Sequence, residues 1–180
     1  MRHALLCLLA GGIVAAVFTG AVAQTVTENQ RFADWQLVTY ALKTSHARGT
    51  RSSAPASRKA HAIQQYAWNA GEKSVSLVTR VRFFERHEAT LLFILPPETD
   101  KSSRIAYAVD SGANVTLPVA DCDNRLCLAS AALDDDLLTK LRQGRHLTVR
   151  YRAGGERYTV PVSLIGFTRA YEALGRLVAD

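Results

Sequence analysis

The sequence predicts a mainly β chain, either an antiparallel β-sandwich or a partly closed barrel, with one short helix before the last two strands and a helix at the C-terminus. Three observations lead there. Short runs of alternating apolar and polar residues recur along the chain, separated by turn signals. Only two segments carry helical spacing, and both lie in the last third. Nothing resembles the strand–helix–strand alternation that builds a parallel sheet. The 180 residues fit one domain with appended segments.

The first 23 residues stand apart. Arg2 and His3 give a short positive start, Ala4 to Phe18 is uncharged and apolar, and Ala21-Val22-Ala23 fits the small-residue cleavage rule. This reads as a secretory signal peptide cut before Gln24, leaving a single β-rich domain over 24–180. Cys7 lies too early in the apolar run to be a lipid-modified cysteine. No later stretch reaches transmembrane length, so the mature protein is expected to be soluble and exported. The formal charge of +6 falls to +5 on cleavage, because Arg2 is the one Lys, Arg, Asp or Glu removed. A basic balance favours anionic surfaces without specifying one.

In chain order, "RFADWQLVTYAL" reads as a first strand that offers Phe32, Trp35, Leu37 and Tyr40 to a core. Residues 43–62, "KTSHARGTRSSAPASRKAHA", then contain no acid and no large apolar side chain. Such a segment buries too little to offset its ordering entropy, so a mobile loop is expected. Strand-like runs follow at Ile63 to Trp68, Ser74 to Phe84, Ala89 to Leu95, Arg104 to Asp110 and Val115 to Ala120. "SVSLVTRVRFF" is the clearest, with Val75, Leu77, Thr79, Val81 and Phe83 on one face. Pro96-Pro97 ends its strand because neither proline can donate to a ladder. "LDDDLLTKLRQG" reads as a short helix capped by Asp134, closed at Gly144, and burying Leu137, Leu138 and Leu141. "HLTVRYRA" and "RYTVPVSLIGF" are the last strands, joined at Gly154-Gly155. Phe167, Tyr171, Leu174 and Val178 then recur at helical spacing.

Chemistry concentrates at "LPVADCDNRLCLASAAL", which holds Cys122 and Cys127. A tetrahedral metal site would need two more ligands, usually a second Cys/His pair, whereas His46, His61, His87 and His146 are scattered singly. A thiol oxidoreductase normally places Cys-x-x-Cys at a helix start, and here four residues intervene within a hairpin-like stretch. In an oxidising compartment this spacing suits a disulfide across a tight turn. A structural staple is therefore expected, with no metal and no cofactor.

No catalytic residues are assigned. Hydrolase and nucleotide-binding signatures are missing. Asp134, Asp135 and Asp136 lack calcium-loop spacing, and Glu85, His87 and Glu88 read as a charged hairpin tip. Composition singles out the basic loop, where Lys43, Arg48, Arg51, Arg58 and Lys59 are candidate contacts to an anionic surface. Lacking aromatic residues, it is no stacking platform, and no nucleic-acid partner is expected.

"FADWQLV", "LLFILPPETDKSSRIAYAVDSG", "LPVADCDNRLCLASAAL", the leucine-rich helix and "VPVSLIGFTRAYEAL" occur in an order that resembles the invasion-associated locus B family of exported bacterial proteins. The resemblance spans Phe32 to Leu174, and its most specific parts are the Leu-Pro…Cys…Cys stretch and the signature Ser163, Leu164, Gly166, Phe167 and Ala170. It implies an exported β-rich envelope domain, linked in some pathogens to host-cell entry, and brings no catalytic residues. The family commonly has a further cysteine pair after its Asp-Trp motif. This chain has none there, which marks it as divergent.

The expectation is a non-enzymatic protein of the periplasm or cell envelope, surface-exposed or secreted, that binds a protein or surface partner. The alternatives are an anionic-surface binder acting through the basic loop on acidic glycolipid or polysaccharide, and an enzyme whose site is assembled from distant residues.

Overall fold

The computed structural model describes residues 25–42, 58–69, 74–84 and 88–179. The segment read as a signal peptide and most of the basic loop lie outside them. Within them the alternating pattern resolves into a meander of β1 (Thr25–Phe32), β2 (Trp35–Leu42), β3 (Arg58–Asn69), β4 (Ser74–Phe84) and β5 (Glu88–Leu95). The chain then leaves for a second sheet with β6 (Arg104–Val109) and β7 (Val115–Pro118). It returns as β8 (Asp121–Cys122) and β9 (Cys127–Ala132), passes through α1 (Asp135–Gln143), and crosses again as β10 (His146–Ala153) and β11 (Glu156–Ser163) before α2 (Phe167–Ala179).

All pairings are antiparallel. One sheet runs β1-β2-β3-β4-β5-β9-β8 and the other β11-β10-β6-β7. The two remain separate rather than closing on each other, so of the two architectures expected the sandwich is the one formed.

The core lies between them. Trp35, Ile63, Leu77, Leu91 and Phe93 of the larger sheet share one buried cluster with Ile105, Tyr107, Leu147, Val149 and Tyr151 of the smaller. Each large apolar side chain removed from water here contributes about 1.5–3 kcal/mol before ordering costs. The four-stranded sheet covers only part of its neighbour. Over β1 to β3 the covering layer is α2, which lays Phe167, Ala170, Ala173 and Leu174 into the same core.

Local chemistry fixes the details. Asp134 caps α1, its Oδ1 accepting the Leu137 N–H at 2.8 Å. Gly144 closes that helix for want of space: a Cβ there would meet Val109 Cγ1 at 2.5 Å. A bulge at Ala67/Trp68 leaves Ser76 as the extra residue of β4. Its carbonyl is thereby available to accept the buried Tyr151 hydroxyl at 2.6 Å across the sandwich.

Two expectations need correction. "RFADWQLVTYAL" is two strands, β1 and β2, which reverse at Ala33-Asp34 with Phe32 paired to Trp35. Ala33 takes φ of 53°, so the turn carries none of the Gly or Asn that normally announces one. The basic loop was expected to reach residue 62, yet β3 begins at Arg58, paired to Leu42. The ladder with β2 recruits a sequence without large apolar residues because small ones suffice: Ala62 is buried against Val38 and Tyr40.

Candidate functional site

Two of the sequence signatures, the Asp-Trp stretch and the one ending the chain's last strand, converge in space. Trp35 Nε1–H donates to the Ser163 carbonyl at 2.9 Å across 128 residues. The Trp35 indole meets the Phe167 ring edge to face, centroids 5.1 Å apart. The Asp34 N–H reaches the Ile165 carbonyl at 3.4 Å. Gly166, at φ 91°, sits so close to the Phe32 carbonyl that a Cβ would overlap it. Asp34, Trp35, Ser163, Gly166 and Phe167 thus form a clasp that locks the β1–β2 turn onto the start of α2, with its aromatic groups in the core.

Cys122 and Cys127 are joined, as expected, across the β8–β9 hairpin with Cα atoms 4.0 Å apart. Within the turn Asp123 Oδ1 accepts the N–H groups of Arg125 at 2.8 Å and Leu126 at 2.9 Å. These main-chain donors, Arg125 first, hold the Asp123 carboxyl below the usual carboxylate range. Arg125 and Leu126 line a cleft of about 610 Å³ together with Pro97, Glu98 and the stacked pair Tyr151–Tyr158. Burial, followed by the neighbouring Tyr158, pushes the Tyr151 phenol up to about 12. Its hydroxyl is already committed to Ser76. This cleft is a seam of the sandwich in which the Tyr151 hydroxyl is already used in packing the two sheets together.

The outer face of the seven-stranded sheet differs. Strand register sets Gln36, Gln64, Arg80 and Leu92 in one row across it, beside a row holding Tyr66, Val78 and Ile94. Gln64 is 2% exposed and fully engaged. Its Oε1 accepts the Tyr40 hydroxyl at 2.8 Å and the Arg80 Nε and Nη2 at 3.0 and 2.7 Å, while its Nε2 donates to the Tyr66 hydroxyl at 2.6 Å. The Arg80 guanidinium also lies 5.1 Å from the centre of the Tyr40 ring. Burial raises the Tyr40 phenol, opposed by the charge of Arg80 and reinforced by Tyr66. A buried carboxamide thus holds Tyr66 in place from below.

Tyr66 and Trp68 project from this base, 39% and 65% exposed. They line a concavity of about 500 Å³ with Arg31, Asp34, Gln36 and Gln65. It exists because the β2–β3 ladder ends at Gln36–Gln64, whereas β3 runs on to Asn69 with no strand among the described residues paired to that side. Gln65 Oε1 is buried and has no hydrogen-bond partner among the described residues. Sequence reading placed Trp68 at the end of a strand and missed the site. The signal was present: Tyr66 and Trp68 share the face of polar Gln64, opposite Ile63.

The candidate anion contacts are not brought together in what is described. Lys43, Arg48 and Arg51 lie outside the described residues, as does the side chain of Arg58, and Lys59 is exposed on β3. Of the histidines, His61 Nδ1 lies 3.0 Å from Thr39 Oγ1 and His146 is exposed on β10. Among the described residues no group of three or more His, Cys, Asp or Glu is placed to hold a metal ion, and no helix is long and apolar enough to cross a membrane.

The family model described as "Invasion associated locus B (IalB) protein" matches residues 50–175. Among solved structures, the crystal structure of invasion associated protein b from Bartonella henselae is similar with a TM-score of 0.65 at 17% identity, covering 86% of this chain and 100% of that one. At that identity the likeness speaks to the fold. A search of curated proteins finds no match.

Proposed function

The chain belongs to the invasion associated locus B family, and from that premise we propose that it is an exported, non-enzymatic protein of the bacterial envelope that works by binding a partner through the outer face of its seven-stranded sheet. One observation carries the choice of face: Trp68 and Tyr66 stand exposed there on a base braced by the buried Gln64. Preformed aromatic groups beside arginine are the side chains that most often dominate binding energy. The inner face, by contrast, is consumed by packing.

In this reading residues 1–23 are a cleaved leader and the disulfide forms in the oxidising compartment that receives the chain. The basic segment is an auxiliary contact to anionic surfaces. It joins β3 at Arg58, ten residues from Trp68 and so about 33 Å along the strand, which makes the two contacts separable.

The test places a photo-crosslinking amino acid at position 66 in intact cells and, separately, at exposed Thr159 on β11. A captured species from position 66 alone supports the reading. Equal capture from both positions, or none from 66, rejects it. Removing 46–55, which takes out Arg48 and Arg51 and leaves a five-residue connection between the paired Leu42 and Arg58, should lower binding to acidic glycolipid vesicles at low salt and leave the position 66 capture intact. Unchanged vesicle binding would remove the auxiliary role.

A further inference from the structure

Resting on that reading of the face, we propose that the concavity beside Trp68 is a saccharide site, taking one pyranose unit of a glycan. A pyranose has an apolar C–H face and a rim of hydroxyls that both donate and accept. The site supplies a match for each: an indole 65% exposed, and around it one guanidinium, one carboxylate and two carboxamides from Arg31, Asp34, Gln36 and Gln65. Planar groups of this kind can each engage neighbouring hydroxyls in pairs.

Other ligands fit less well. A wholly apolar ligand would leave those polar groups dehydrated and unpaired, at a cost of about 1–3 kcal/mol each. A simple anion would be drawn to Arg31 and repelled by Asp34. The concavity, about 500 Å³, is of ligand-site size, and Gln64 holds Tyr66 at its edge before anything binds. A peptide strand added to the uncovered edge of β3 is the competing occupant.

The mature chain should be applied to an array of oligosaccharides ending in glucose, galactose, mannose, N-acetylglucosamine or sialic acid. Titration calorimetry with the best ligand then measures affinity in the parent chain and in variants that lack Trp68 alike. The expected result is binding that falls about tenfold or more in Trp68→Ala and in Asp34→Asn, is partly restored in Trp68→Phe, and is unchanged in Tyr158→Ala in the other cleft, with thermal unfolding of Trp68→Ala unaltered. No binding to any glycan, or equal binding by Trp68→Ala, overturns the proposal. If crosslinking from position 66 still captures a partner and that partner is a peptide, the saccharide proposal fails while the binding face stands. Loss of both fails both.

Discussion

Two devices tie distant parts of this chain, and they work on opposite principles. The disulfide hairpin joins Cys122 to Cys127, five residues apart, by a covalent bond. The clasp joins the β1–β2 turn to the start of α2, 128 residues apart between Trp35 and Ser163, using two hydrogen bonds, one ring contact and one close approach of backbone. Closing a short loop removes little freedom from the unfolded chain. Burying an indole and a phenyl ring at the meeting point of a sheet and a helix removes much more surface from water. The non-covalent tie is therefore the stronger determinant of the fold, and the covalent one is local stiffening beside a cleft.

The largest effects should come from breaking the clasp. Trp35→Ala is expected to cost about 4 kcal/mol, from the cavity and from the Ser163 carbonyl left without its donor. Gly166→Ala should cost about 3 kcal/mol, since it sets a side chain at positive φ against the Phe32 carbonyl. Guanidinium unfolding measures both, and losses below 1 kcal/mol would remove the clasp from its leading place. Replacing both Cys122 and Cys127 by alanine should cost about 2 kcal/mol. A loss exceeding that of Trp35→Ala would invert the comparison.

The smallest effect is a difference in acid sensitivity. Asp123 is depressed below its ordinary range by the Arg125 and Leu126 N–H groups, so the stability it contributes is present above the ordinary carboxylate pKa and is lost as pH falls through its lower folded value. The clasp contacts are indole, phenyl and main-chain groups that do not titrate. Amide exchange at Arg125 and Leu126, corrected for its intrinsic pH dependence, should lose protection between pH 5 and pH 2, a window set by the carboxylate range, while the Trp35 indole N–H keeps its own. Parallel loss at both sites would show that they open together.

Much of this was legible in the residues. "SVSLVTRVRFF" declared its buried face, with Leu77 and Val81 now in the core. Asp134 declared a helix start, Cys122 and Cys127 declared each other, and Trp35 and Phe167 were recognisable as anchors, although their contact with one another was not. The turn at Ala33-Asp34 was illegible because its conformation is imposed from outside, by the Ile165 carbonyl and the packing of Gly166. Likewise, the start of β3 at Arg58 depends on a partner strand, since Ala60 and Ala62 have little strand preference of their own. The site beside Trp68 was hidden for a related reason. Alternation puts Tyr66 and Trp68 on the polar face, but their exposure depends on β2 stopping short of the end of β3, a fact of register that no single segment contains.

The remote clasp also sets an order of events. Strands β1 to β5 pair with immediate neighbours in sequence, so their ladders can close while the rest of the chain is still being made. Leu37 and Ile63, however, stay uncovered on the inner face until α2 arrives to pack over β2 and β3. Residues 163–167 leave the ribosome only after β1 to β10. A chain that has emerged as far as β9 therefore presents an open apolar sheet, without the helix that covers it and without the contact that locks its first turn. Residues 163–167, which carry that contact, are the latch that ends the interval.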